Sequence, residues 1–404
     1  MPKRGSFIYM KKIALAIENF SQFAGGAESY AVSLANRLSA SGWEVHLFGQ
    51  TWDGEPNSAV FHKLTIPKLL PSWAKMILFA LKHRKMVKNL DLDVILGFGN
   101  TIYMNVYQSH GGVHRISTAR KVYVEKNATR RLIKRIMILL SVKYWVRHWI
   151  ESAPFRLDKR PKLVAISQMI KEDMESFFHI SDGGIDVVYN GFDTAKYTSS
   201  LRRSLRGPLR KKLGINENDV VFLFVSYDLK KKGILPLVEA AKLLKAQAGN
   251  GFKILIVGGL PHSWLQKRVE NFGLIDTFMF IGRSKSPEEC YANSDVLVLP
   301  TYYDACSLVV FEAMACGLPS ITTIYNGAAG IITNEKSGYI ISHPPEPLEL
   351  AEKMRTLMCN ETRERMSREA VRSSKKYTNE KNHQDMIRIF HEVIHENTHP
   401  FASI

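Results

Sequence analysis

Short unbroken apolar runs alternate along the chain with longer stretches whose apolar residues recur at helical spacing. Ile13-Ala14-Leu15-Ala16-Ile17 is the first run, Ser29 to Ser39 the first helical stretch, and Glu44-Val45-His46-Leu47-Phe48 the second run. A run of this kind reads as a strand covered on both faces, and a helix between two such strands is the βαβ unit of a parallel sheet. Strands are expected next at Phe61 to Ile66 and Asp93 to Gly97, with an amphipathic helix at Trp73 to Leu90 between them. Asn105 to Ser109 leads into His110-Gly111-Gly112, and Leu163 to Ser167 is a strand followed by helix Gln168 to Phe178. Ile185-Asp186-Val187-Val188 closes this series, and polar, basic Ser199 to Lys212 reads as a linker. A second series runs through Val220 to Val225, Phe252 to Gly258, Met279 to Gly282, Val296 to Leu299 and Ser320 to Thr322. The pattern predicts two Rossmann-like, doubly wound parallel-sheet domains facing a cleft. They span residues 1–190 and 219–378, joined by a linker over 191–218. In 379–404 a last helix, around Gln384 to His395, is expected to cross back onto the first domain.

Composition adds bounds to that picture. At 404 residues, 45% hydrophobic and 23% charged, the chain is long and apolar enough for two cores, and disorder is not indicated. The 4 cysteines, at 290, 306, 316 and 359, lack paired metal spacing, which suggests a reducing compartment. Met1-Pro-Lys-Arg-Gly precedes an apolar run too short for a signal peptide, and no apolar stretch is long enough to span a bilayer, so a cytoplasmic location is expected. Net charge is +17, which points to an anionic partner or surface. Twelve of the basic residues against three acids fall between Arg120 and Arg160, so the excess is local. Within that insert, about 116–160, Arg130 to Trp149 reads as one helix mixing Lys and Arg with Leu, Ile and Trp. That is the composition of a helix lying in an anionic membrane surface. A buried helix with a solvated basic face is the plainer alternative. No recognised nucleic-acid motif accompanies the charge, so nucleic acid is not an expected partner.

The chemistry gathers at strand-to-helix turns, the carboxyl edge where open α/β sheets bind ligands. After Val296 to Leu299, Asp304 and Glu312 stand eight positions apart around a helix start. The amides of Cys306, Ser307 and Leu308 would be unpaired first-turn donors suited to a phosphate. Glu312 could then accept from a ribose diol and Asp304 meet a sugar hydroxyl, although an N-capping Asp and a surface Glu would produce the same spacing. Lys231 and Lys232, before Gly233, put cations in the turn after Val220 to Val225, which a diphosphate needs and a solvated lysine run would mimic. Gly25-Gly26 allows close backbone approach at the first turn. Gly282-Arg283 ends a strand where backbone groups could hold a nucleobase, and Asn326 to Gly330 is a Gly-rich loop able to close over phosphates. His110 reaches the edge of the first sheet, as a catalytic group or merely a packed histidine. Asp91-Leu92-Asp93 imitates a metal-binding pair but precedes its strand, at the wrong edge.

Asp304 to Glu312, followed by Ala313-Met314-Ala315-Cys316-Gly317-Leu318-Pro319, resembles the E-x7-E motif and EAxAxGxP segment of the family-4 glycosyltransferases, which have the GT-B fold. Asp replaces the opening Glu, and Ala305 and Ser307 stand where glycines are usual. Asn190-Gly191 with Asp193 resembles the family hinge. The stretch Asn105 to Arg115 is most similar to the lipopolysaccharide-core heptosyl α-1,3-glucosyltransferases, with Gly111 at the position of their Asp and His110 beside it. The resemblance implies an acceptor-binding first domain and a nucleotide-sugar-binding second one. Lys232, preceded by basic Lys231, is implied to contact the donor pyrophosphate, and the Gly25-Gly26 loop to face donor phosphate and acceptor. The implied activity is transfer of glucose from UDP-glucose, with retention and without a metal or other cofactor. Its acceptor would be a lipopolysaccharide-core or other lipid-linked glycan, met by a peripheral enzyme on the inner face of the cytoplasmic membrane. The alternatives are an exopolysaccharide mannosyl, galactosyl or N-acetylhexosaminyl transferase of the same family, and a non-catalytic membrane or nucleic-acid binder on the same scaffold.

Overall fold

The computed structural model describes residues 10–21, 26–53, 59–156, 159–181 and 183–398. A first sheet of seven parallel strands comprises β1 (Lys12–Ala16), β2 (Glu44–Gly49), β3 (Ala59–Lys63), β4 (Val94–Gly97), β5 (Val106–Ser109), β6 (Lys162–Ala165) and β7 (Ile185–Val187), in the order β3-β2-β1-β4-β5-β6-β7. The two faces are set by alternation along each strand. Ile13, Leu15, Val45, Leu47, Val94 and Leu96 point to one core, which helix α1 (Gly26–Ala40) covers through Tyr30, Leu34 and Leu38. Ala14, Ala16, Phe48, Ile95 and Tyr107 point to the other, against Phe79 and Val87 of α2 (Ser72–Val87). Helices α3 (His114–Lys121), α4 (Ala128–Leu139) and α5 (Val142–Ser152) follow β5, and α6 (Gln168–Phe178) follows β6.

The second sheet has six parallel strands: β8 (Val220–Ser226), β9 (Phe252–Gly258), β10 (Phe278–Gly282), β11 (Val296–Leu299), β12 (Ser320–Thr323) and β13 (Gly338–Ile341), in the order β10-β9-β8-β11-β12-β13. Helix α7 (Ile234–Ala248) leaves β8, and α8 (Leu308–Ala315) leaves β11. In both sheets the order reverses beside the first strand, between β1 and β4 and between β8 and β11. Those two points open a crevice at the carboxyl edge.

Three elements differ from the sequence pattern. The basic helix over 130–149 is two helices, because Leu140 closes α4 and Ser141 adopts an extended backbone before α5. The stretch Ser199 to Lys212 is not an open linker. It forms short helices Ser199–Leu205 and Pro208–Lys212, whose Arg202, Arg206 and Arg210 reach Asp295 at 3.3, 2.8 and 3.5 Å. The last helix, α9 (Asn379–Thr398), is longer than expected and packs Met386, Ile389, Phe390 and Val393 into the first sheet's core. Asn382 anchors it by donating to the Tyr189 carbonyl at 2.8 Å.

Candidate active site

The turns after β8 and β11 are neighbours because the strands are. Gly233 has φ +87°, and a Cβ there would fall 1.9 Å from the Pro300 carbonyl oxygen, so only glycine lets the first turn press against the end of β11. Tyr302 N–H donates to the Lys231 carbonyl at 3.0 Å, tying the turns together. Lys232 thereby reaches across, pairing its ammonium with the Asp304 carboxylate and donating to Ser307 Oγ at 3.3 Å. Ser307 Oγ donates to the same carboxylate. Side-chain exposures of 16% for Lys232 and 20% for Asp304 leave the pair at the mouth of the crevice rather than in a core. Burial pulls the Lys232 ammonium well below the ordinary lysine range, Lys231 adds like-charge repulsion, and Asp228 opposes the shift. The Asp304 carboxylate in contact supplies the opposite charge that favours the protonated form.

The expected row of unpaired amides is corrected at two of its three members. Cys306 N–H donates to Asp304 Oδ1 at 3.2 Å, and Ser307 N–H donates to Asn326 Oδ1 at 3.3 Å. Short Asx side chains reach nearby amides readily, so the loop caps itself before α8 begins at Leu308. The Asn326 loop is strapped to this turn: Asp304 N–H donates to the Tyr325 carbonyl at 2.9 Å, and Gly327 N–H to the Asp304 carbonyl at 2.8 Å.

Residues of the first half face this constellation. A Cβ built on Gly26, the first residue of α1, would lie 3.9 Å from Leu308 Cδ1, so the opening turn abuts the start of α8. Gly25 lies outside the described residues. Ser167 Oγ donates to the Ala305 carbonyl at 2.9 Å, and the Tyr303 hydroxyl to the Gly111 carbonyl at 3.2 Å. His110 follows β5, its ring 4.7 Å from that of Tyr30 and 5.0 Å from that of Phe98. Burial lowers its pKa to about 3, so the imidazole is neutral, and its Nε2 has no hydrogen-bond partner among the described residues.

Glu312 and the end of β10 are held by other residues. Glu312 Oε2 accepts from the Tyr291 hydroxyl at 2.5 Å, and burial raises its carboxyl above the usual range. Gly282 and Arg283 end β10, two strands from β8, about 10 Å away at ordinary strand spacing. There the Arg283 guanidinium lies 5.1 Å from the Tyr227 ring centroid, and its Nε donates to the Tyr227 hydroxyl at 3.2 Å. Tyr227 is 59% and Leu260 69% exposed, an apolar ledge at the ends of β8 and β9 that a base could cover. Sequence reasoning did not single out Lys121 and Arg147 individually. Lys121 Nζ lies 4.9 Å from the Tyr303 ring centroid, and a Cβ on Gly111 would be 3.6 Å from Arg147 Nη2. The only signal in the sequence was the basic composition of the insert.

Two parallel-sheet halves, with their ligand edges turned toward one crevice, define the GT-B class. Two family models match accordingly: Glycosyltransferase Family 4 over residues 24–196 and Glycosyl transferases group 1 over residues 206–373. The chain belongs to the family-4 glycosyltransferases. Among curated proteins it is 24% identical over 347 residues to the lipopolysaccharide glucosyltransferase WaaG of Escherichia coli K12, covering 85% of this chain and 88% of that one. The crystal structure of WaaG superposes with a TM-score of 0.78 at 21% identity, over 94% of this chain and 99% of that chain. Anabaena HepE, solved in complex with UDP-glucose, gives a TM-score of 0.65 at 18% identity, over 94% and 99%.

Proposed function

We propose that this glycosyltransferase moves glucose from UDP-glucose to a lipopolysaccharide-core or other lipid-linked glycan, with retention and without a metal ion. The observation that carries the reading is the meeting of Lys232, Asp304 and Ser307 at the reversal point of the second sheet, with Gly26 of the first half against Leu308. The donor's diphosphate would exchange with Asp304 as the partner of Lys232. Lys231, the Leu308 amide and the dipole of α8 would add to the field at the leaving phosphate as charge develops there. Asp304 would then be free to meet a sugar hydroxyl, Glu312 the ribose, and the ledge at Tyr227, Gly282 and Arg283 the base. Neutral His110 would position the acceptor from the opposite half. UDP-glucose is supported by the activity named for WaaG and by the ligand in the HepE structure.

The location of the acceptor is supported by α4 and α5. Helix α4 buries none of its residues, and nine exposed large apolar side chains fall between Leu132 and Trp149. Interleaved with Arg and Lys, they form a surface suited to an anionic leaflet such as the inner face of the cytoplasmic membrane. Among the described residues, no helix is long and apolar enough to cross a membrane.

Donor hydrolysis and transfer from UDP-glucose, measured in EDTA, test the reading. Lys232→Ala should lower turnover by about 10² to 10³, the usual loss for one group stabilising a developing oxyanion, and Glu312→Ala should weaken donor binding. Full activity in the Lys232 variant, or loss of wild-type activity in EDTA, overturns the corresponding assignment. The anomeric configuration of the product, read by NMR, decides retention.

A further inference from the structure

Two cations of the first half lie beside Gly111 with no ion-pair partner among the described residues. Lys121 ends α3 and lies over the Tyr303 ring, while Arg147, on α5, approaches Gly111 from the solvent side. The nearby carboxylates hydrogen-bond to other groups, and Glu151 and Asp228 act on Arg147 and Lys121 only through their fields. Asp173 takes the Arg120 guanidinium with both oxygens, at 2.5 and 2.7 Å, and Glu151 accepts from His114 N–H at 2.9 and 3.0 Å. Asp228 accepts from Lys231 N–H at 3.1 Å, and Asp304 is paired with Lys232. Among the described residues, neither Lys121 nor Arg147 has a hydrogen-bond or ion-pair partner. Both repel Lys231, and burial with that repulsion holds Lys121 down to about 7. Cations gathered without a directly paired carboxylate are stabilised further by a bound anion.

We propose that Lys121 and Arg147 form a second anion site, beside Gly111 and across the cleft from Lys231 and Lys232, that takes a phosphate or carboxylate carried by the acceptor. The proposal rests on the reading of this cleft as a transferase site. The donor diphosphate has Lys232 and the start of α8 on its own half, whereas Lys121 and Arg147 belong to the half that carries Gly111 and His110. The acceptor would therefore be an acidic glycan whose charged group docks next to the hydroxyl that reacts.

Isothermal titration of the full chain saturated with UDP tests this, with inorganic phosphate and glucose 6-phosphate as probes and glucose as the uncharged control. UDP fills the donor's phosphate site, so saturable phosphate binding reports a second one. Lys121→Met and Arg147→Met should each weaken phosphate and glucose 6-phosphate about tenfold. UDP affinity should stay within twofold, glucose should be unaffected, and Lys121→Arg should restore binding. Absence of saturable phosphate binding to UDP-loaded wild type overturns the proposal. So does an equal loss of UDP affinity in the variants, which would assign the pair to the donor. A wild-type protein that does not bind UDP sinks the transferase reading instead, and phosphate titration of the unloaded variants still reads the pair.

Discussion

Lys232 stands in the crevice because of the glycine after it. In Gly233→Ala the new methyl group would meet the Pro300 carbonyl at 1.9 Å in a left-handed backbone, and the turn must move. We expect a loss of about 2–4 kcal/mol in urea unfolding, from strain and overpacking together. Donor hydrolysis should fall with it, while Gly251→Ala, whose methyl meets only Met358 Cε at 3.7 Å, should be close to neutral in both. Glu151 gives a pH signature. Burial raises its carboxyl to about 7, against the lowering effects of His114 N–H and Arg147. Its folded value lies above the unfolded one, so its contribution to stability is complete below about pH 4.5 and lost as pH rises through 7. The difference in melting temperature between wild type and Glu151→Gln should therefore shift against the wild type from pH 5 to pH 7.5, and a flat difference contradicts this. Asp304 and Lys232 were legible in the sequence because each follows an apolar run by a few residues, and the sheet order makes those runs neighbours. Arg147 was not. On one straight helix it shares a face with Arg131, Arg135 and Lys143, and only the break at Ser141 turns α5 so that Tyr144 and Ile150 are buried while Arg147 meets Gly111.

At the scale of elements, α4 is a twelve-residue helix that buries none of its residues. Helices α1 and α2 present apolar residues to the first sheet, whereas α4 leaves Leu132, Ile133, Ile136 and Met137 in solvent. Exposed apolar area of this kind returns about 25 cal/mol per Å² when it leaves water, and each basic neighbour adds about 1 kcal/mol near an anionic surface. Ile133→Glu with Met137→Glu should reduce sedimentation with anionic liposomes at least tenfold and leave the melting temperature nearly unchanged, because neither side chain is packed. Equal sedimentation of variant and wild type would remove α4 from the membrane contact. The composition of this segment was readable from the sequence. Its division was not, since nothing in Leu139-Leu140-Ser141-Val142 forbids a continuous helix, and the turn is imposed by the packing of α5 on α2 and α3.

At the scale of the whole molecule, both sheets follow from alternating runs, and their strand order from right-handed crossovers. The arginine helices over 199–212 were hidden because their partner, Asp295, lies more than eighty residues away at the amino edge of β11. Asp295→Asn should loosen that attachment, seen as faster amide exchange in Ser199–Leu205 with little change in UDP binding. The last helix is held by contacts as distant. Phe390 packs against Trp43, ring centroids 5.8 Å apart, and Gln108 Nε2 approaches Met386 Sδ at 3.7 Å. Phe390→Ala should cost about 3–5 kcal/mol, as truncation of a buried aromatic does, even though it touches neither sugar nor phosphate. The same arrangement bears on translation. A ribosome makes the β8-to-β13 portion before it makes α9, so the nucleotide-gripping half can finish while its elder sibling waits for a missing wall. Nascent chains arrested short of residue 379 should therefore show a protease-resistant second half joined to a first half that is still digestible.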